Sequence, residues 1–229
     1  MKRWLCLVAC LLLFLGVTAC AQEKRAGLAD PLEGQISNGR TVAFSLPQLT
    51  AQSPQAEKIN SYYKDMAAAL ETGGDLQDGE NRQISFALTY EDGQYLCFLL
   101  TETTLGGNVE SEQLSADVFS LDGLYAGERI MLSQYLGLEQ ADASSTSLAA
   151  DMAYRLVWQI VEQQAQNADS DYLDGLTGES IRGAFNPETD FYLDQDGNVV
   201  FFIQSGLIAG EIAGVLQYPF APAELLSAF

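Results

Sequence analysis

The chain has 229 residues, 48% of them hydrophobic, and thirty-one acidic residues against eleven basic ones give a net charge of −20. That length allows one larger domain or two small ones with a sizeable core, and the charge repels nucleic acid and favours cationic partners. There is no histidine, which excludes Ser-His-Asp and Cys-His catalysis, His-ligated zinc and a histidine pH switch.

Residues 1–19 have the layout of a bacterial lipoprotein signal peptide. Lys2 and Arg3 precede an apolar run from Trp4 to Gly16, which is too short to span about 30 Å of hydrocarbon but suits a signal core. Val17-Thr18-Ala19-Cys20 then fits the lipobox, with Cys20 as the lipidated residue. Two or more buried acyl chains hold a protein stably, where one holds only marginally. Loss of Lys2 and Arg3 leaves nine basic residues against thirty-one acidic, or −22. Residues 20–40 are polar and without apolar periodicity, and are expected to form a flexible tether. No later stretch approaches about 18 uninterrupted apolar residues, so residues 41–229 are expected to fold as a single soluble domain.

Thr41 to Leu49 reads as a first strand. Ser53-Pro54 supplies an N-cap and a first-turn proline. Ile59, Tyr62, Tyr63, Met66 and Leu70 follow at helical spacing up to Gly73-Gly74. Gln83–Tyr90 and Gln94–Thr103 flank Glu91-Asp92-Gly93, a strong hairpin signal. Gln113 to Leu121 alternates as a strand, 121–128 is turn-rich, and Ile130 to Leu138 is apolar again. After a polar loop over 141–147, Leu148, Met152, Leu156, Val157, Ile160 and Val161 form one helical stripe. A loop or short helix is expected over 169–185. Phe191–Leu193 and Asn198–Gln204 flank a second Asp-Gly turn, and Val215–Phe220 leads into a turn with Pro222. The fold expected is α+β, a largely antiparallel sheet with hairpins packed against two main helices, because short hairpin turns leave little room for crossovers.

Candidate chemistry is sparse. Once the signal is removed and Cys20 acylated, Cys97 is the only thiol left, set in the apolar run Tyr95–Leu100. With no histidine to activate it, it reads as a small buried hydrophobe. Asp194, Asp196 and Asn198 around Gly197 resemble part of a calcium loop, but position 203 is Ile where a bidentate Glu is needed, so the hairpin turn is expected. Asp169, Asp171 and Asp174 read as solvated loop carboxylates. A carboxylate pair could hydrolyse a glycoside without histidine, yet thirty-one acids make a chance pairing unavoidable. No Ser-x-x-Lys element or nucleophile elbow occurs, and Thr104-Leu105-Gly106-Gly107 lacks the spacing and ending of a phosphate loop. Tyr62, Tyr125, Tyr135, Tyr172 and Tyr218 could stack on sugars, but half-buried packing is the simpler expectation. No catalytic residue, cofactor or metal ligand is assigned.

The C-terminal third, with Phe191-Tyr192-Leu193, Val199–Ile203, Ile208-Ala209, Gly214 and Leu225-Leu226, resembles a known extracytoplasmic domain of unknown function. It is carried by the RsiV-type lysozyme-sensing anti-sigma factor and by PdaC-type peptidoglycan deacetylases. Upstream, Ser45-Leu46-Pro47 with Ile59-Asn60 looks like its companion segment. Asp117–Gly123 with Leu132–Leu136 resembles the passage that follows. Gly106-Gly107 is followed by Asn108-Val109 instead of Ala-His, and Gly210-Glu211 replaces a Pro-Tyr pair. The resemblance implies a non-catalytic binding or sensor module, lipid-anchored at the membrane and facing the wall of a Gram-positive cell. Its partner would be a protein or glycan of the envelope, and the charge suits a cationic wall-active protein such as lysozyme. A wall-active hydrolase using two carboxylates, and a structural lipoprotein without a dedicated ligand, are the alternatives.

Overall fold

The structure, a computed structural model, describes residues 27–37, 41–50, 52–72, 80–106, 109–138, 143–167 and 170–227. The signal peptide, Cys20, Gly73-Gly74, Gly107-Asn108 and Asp169 lie outside the described residues. None of the described helices is long and apolar enough to cross a membrane.

Among the described residues, eight strands form two sheets. The larger has the order β1 (Leu32–Ser37), β2 (Thr41–Leu46), β3 (Glu80–Glu91), β4 (Tyr95–Gly106) and β5 (Val109–Ser120). The smaller is an antiparallel β6 (Phe191–Leu193), β7 (Val199–Ile203) and β8 (Leu216–Phe220). The two main helices are α1 (Pro54–Glu71) and α3 (Ala143–Ala165). Short helices α2 (Leu132–Tyr135), α4 (Gly178–Ala184) and α5 (Pro222–Leu226) complete the chain. The mixed α+β class, the hairpins and the two-helix packing expected from the sequence are all present.

Local signals act where expected. Ser53 Oγ accepts from the Ala56 N–H and caps α1, with Pro54 in its first turn. Gly93 and Gly197 sit at φ 86° and 78° in the two Asp-Gly turns, where any residue with a Cβ is strained. In the first of these turns Asp92 Oδ1 accepts from the N–H groups of Gln94 and Tyr95.

Three features differ from the sequence reading. First, the second half of the expected tether is a strand, because β1 pairs antiparallel with β2 from Leu32↔Leu46 to Ser37↔Thr41. Its sequence, LEGQIS, lacks strong alternation; backbone pairing holds it, and Gly34 has no Cβ to collide with the Phe44 ring lying over it. The fold therefore includes residues well before Thr41, with Leu28 bridged to Leu49. Second, β2 and β3 pair in parallel, from Thr41↔Asn81 to Phe44↔Ile84, with α1 as the crossover that parallel neighbours require. Third, α3 starts at Ala143, inside the segment expected to be a loop.

Two cores share the middle of the large sheet. Leu96, Phe98 and Leu100 of β4 pack with Ile59 and Tyr63 of α1. Cys97, on the opposite face, joins Val118, the β6 and β7 residues Phe191, Leu193 and Phe201, and Val157 and Val161 of α3. A fully buried side chain of this kind contributes about 1.5–3 kcal/mol relative to an exposed one.

The outer edge of β5 is covered from Leu114 to Ser120. The Gln204 amide pairs with Leu114 as a strand would, its Oε1 accepting from the N–H at 3.1 Å and its Nε2 donating to the carbonyl at 2.7 Å. Arg129 donates to the Ala116 carbonyl, the Ile130 N–H to that of Val118 and the Gly127 N–H to that of Ser120. Such cover removes the exposed ladder that invites edge-to-edge association. Replacing Gln204 by Leu should leave both Leu114 groups unpaired and cost about 1–3 kcal/mol, measured by urea unfolding. An unchanged midpoint would show that water replaces the amide without loss.

Candidate functional site

The strongest electrostatic constellation is built on Asp117 of β5, the only charged residue among the described ones that is buried. Alternation along β5 sends Ala116 and Val118 to one face and Asp117 with Phe119 to the other, beneath α1. Tyr62 and Tyr63, adjacent on α1, donate to Asp117 Oδ1 and Oδ2, each at 3.0 Å. Arg129 reaches Oδ1 through Nε at 3.1 Å. Aromatic edges close the surroundings, with Tyr63 against Phe98 and Phe119 at centroid distances of 5.8 and 5.9 Å. Edge-to-face pairs of this kind are favourable beyond their buried area.

Arg129 is brought there by the turn that follows β5. Gly127, at φ 80°, packs on the backbone of Gln55, where a Cβ would come within 2.8 Å of Cα. That close approach lets Lys58 of α1 bond to the Ala126 carbonyl and, at 3.0 Å, to Glu128. The same turn then delivers Arg129 beside β5.

Burial raises the carboxyl of Asp117 above the usual aspartate range and outweighs the lowering by the Arg129 charge and the two tyrosine hydroxyls. The same burial, with the neighbouring carboxylate, pushes Tyr62 up to about 12 and Tyr63 higher still. The group's donors are structural, and it stands as a joint between α1 and β5.

The other sequence-derived candidates are placed as follows. Cys97 is fully buried, its Sγ accepting from the Leu193 N–H at 3.3 Å, and desolvation lifts the thiol to about 11. That is the inert thiol expected. Asp194 Oδ1 accepts from the N–H groups of Asp196 and Asn198, and Oδ2 from the Asn198 side chain; its carboxylate is used up inside the hairpin turn. Asp171 and Asp174 are exposed on a loop whose Asp171 carbonyl accepts from the Gly210 N–H. Gly210 and Glu211 lie on that exposed surface beside Ile212, which is fully exposed.

Four of the five tyrosines serve packing through hydroxyl partners or deep burial. Tyr62 binds Asp117, Tyr135 donates to the Gly197 carbonyl, and Tyr172 and Tyr218 share a 3.1 Å hydroxyl contact. Tyr125 is half-buried against the α3 core. Asn60 makes a paired amide contact with the backbone of Leu49. Sequence reasoning missed the Asp117–Arg129 pair. The signal available was a charged residue at a core-facing position of an alternating strand.

No protein-family model matches the chain, and no curated protein matches it. Solved structures do. A DUF3298 family protein from Pseudomonas aeruginosa PAO1 superposes with a TM-score of 0.54 at 11% identity, covering 89% of this chain and 94% of that one. A second member of that family, from Bacteroides fragilis, gives a TM-score of 0.48 at 11% identity over 88% and 93% of the two chains. The structural neighbours of this chain are thus DUF3298 proteins. At such identity the likeness is one of fold.

The buried groups make two outcomes measurable. Asp117→Ala should cost about 3 kcal/mol, because the buried Tyr63 hydroxyl and the Arg129 charge both lose their acceptor. Asp117→Asn tests the titration. A carboxyl raised on folding contributes stability that is full below its unfolded value of 3.8 and declines as pH rises through the folded value. Wild-type stability minus that of Asp117→Asn, which mimics the protonated carboxyl, should therefore be highest in acid and fall towards neutrality in pH-dependent urea titrations. A difference that rises with pH would mean that Arg129, not burial, governs the group. For Cys97, a disulfide reagent should label slowly until denaturant is added.

Proposed function

We propose that the chain is a lipid-anchored, non-catalytic binding module on the extracytoplasmic face of a bacterial membrane, with a cationic protein of the cell envelope as its partner. The observation that carries this reading is the distribution of charge. Apart from Asp117, the carboxylates of the described residues are kept out of the core, so a chain of net charge −20 presents its field to solvent. Such a field raises encounter rates with positively charged surfaces. The strongly perturbed groups support the non-catalytic part, since Asp117, Tyr63 and Cys97 are each held in packing by structural partners.

The lipobox supports the anchor, and the resemblance to the RsiV- and PdaC-type domain supports the envelope setting. Six residues lie between Cys20 and Gly27, the first described residue, so the two are at most about 25 Å apart. The module would thus work close to the bilayer. Gly210 and Glu211 replace the Pro-Tyr of the resembled domain on an exposed loop, so the cationic class of partner is proposed here and a lysozyme-specific contact is not.

Two measurements test the reading. Cys20→Ser in a bacterial host should abolish lipid labelling and release the protein from the membrane fraction; unchanged retention would overturn the anchor. Interferometry of the detergent-solubilised full chain against lysozyme and other basic envelope proteins should show association that slows with salt while dissociation changes less. At about 0.15 M salt the field reaches only roughly 8 Å, so saturable binding that persists there supports a specific module. Failure of every basic envelope protein to bind under those conditions would overturn the cationic partner.

A further inference from the structure

A cleft of about 390 Å³ opens between α3 and α4, within the size range of small-ligand sites. Leu148, Asp151, Tyr154, Arg155 and Trp158 line it from successive turns of α3, and Arg182 faces them from α4. Two guanidinium groups and one carboxylate line it, in a chain where acids outnumber bases thirty-one to eleven. Arg182 is held in place, 2.8 Å from Asp151 Oδ1 and 4.8 Å above the Tyr154 ring, with the exposed Glu179 at 3.9 Å. Arg155 is different. Arg82, Arg129 and Arg182 each have a carboxylate partner, whereas Arg155, exposed, touches Met152 Sδ and has no carboxylate partner among the described residues. Beside it Trp158 stays partly exposed, and Leu148 is 43% exposed.

We propose that this cleft binds a carboxylated sugar. The indole of Trp158 offers a π surface to the C–H bonds of a pyranose, whose hydrogens carry the positive edge that such a surface attracts. Arg155 supplies the planar fork of donors that matches a carboxylate. Asp151, oriented by Arg182 through Oδ1, keeps Oδ2 to accept from a sugar hydroxyl. This site is separate from the cationic-partner reading and does not depend on it.

Trp4 and Trp158 are the only tryptophans, so the full chain carrying Trp4→Phe reports on the cleft through a single indole. N-acetylmuramic acid and glucuronic acid should each change its emission saturably. Their neutral counterparts, N-acetylglucosamine and glucose, should bind about tenfold more weakly, the worth of a charge-assisted hydrogen bond. Acetate alone should do nothing. Arg155→Gln should bring the acidic sugars down to the level of the neutral ones while circular dichroism stays unchanged. The proposal is overturned if neither acidic sugar saturates, if neutral sugars bind equally well, or if Arg155→Gln binds as wild type.

Discussion

A single buried carboxylate joins the two halves of the α1 core. Asp117 accepts from two consecutive tyrosines of α1 and from Arg129 of the following turn. Helix α1, edge strand β5 and the returning chain are thus held at one point. Consecutive tyrosines lie about 100° apart on a helix, so two of them reach one carboxylate only if the helix axis stands at one angle and height above the strand. The arrangement demands charge burial, which is costly, and that cost explains the raised carboxyl. Aromatic packing of Tyr63 against Phe98 and Phe119 offsets it. Removing one donor leaves the buried carboxylate under-satisfied, and coupling of this kind makes the group specify geometry as well as stability.

From that joint the remaining architecture follows by covering exposed backbone. The turn that carries Arg129 lies along β5, and the Gln204 amide continues the cover to Leu114. Gln204 also ties the end of β7 to the large sheet. Strand β4, an inner strand buried on both faces, belongs to both cores at once, with Phe98 under α1 and Cys97 beneath the small sheet. The thiol is fully buried there, and its sulfur accepts the Leu193 N–H. The same burial that makes it useful in packing removes its reactivity.

Charge divides interior from exterior. Among the described residues the interior holds one buried carboxylate, Asp117, and one thiol, Cys97. Against that background the α3–α4 cleft stands out, with an aromatic wall and an arginine that lacks a carboxylate partner among the described residues.

Much of the fold was legible because its causes are local. Ser53-Pro54 starts a helix, and Asp92-Gly93 and Asp196-Gly197 close hairpins, through interactions spanning only a few residues. Alternation along residues 113–121 marked β5, and the absence of histidine excluded whole classes of chemistry on composition alone. Strand β1 was not legible, because LEGQIS is held by ladder bonds to β2 and by Phe44 filling the space over Gly34. The parallel β2–β3 pair was hidden as well, since a crossover depends on where α1 docks. Alternation puts Asp117 on the same face as Phe119, but only the placement of α1 shows that this face is covered and the carboxylate buried. The sequence by itself determined the local turns, caps, periodicities and charge, which nearest-neighbour physics sets. Only the tertiary structure decided which strand edges are covered, which carboxylate is buried and which arginine lines a cleft, because those depend on residues 12 to 90 positions apart meeting in space.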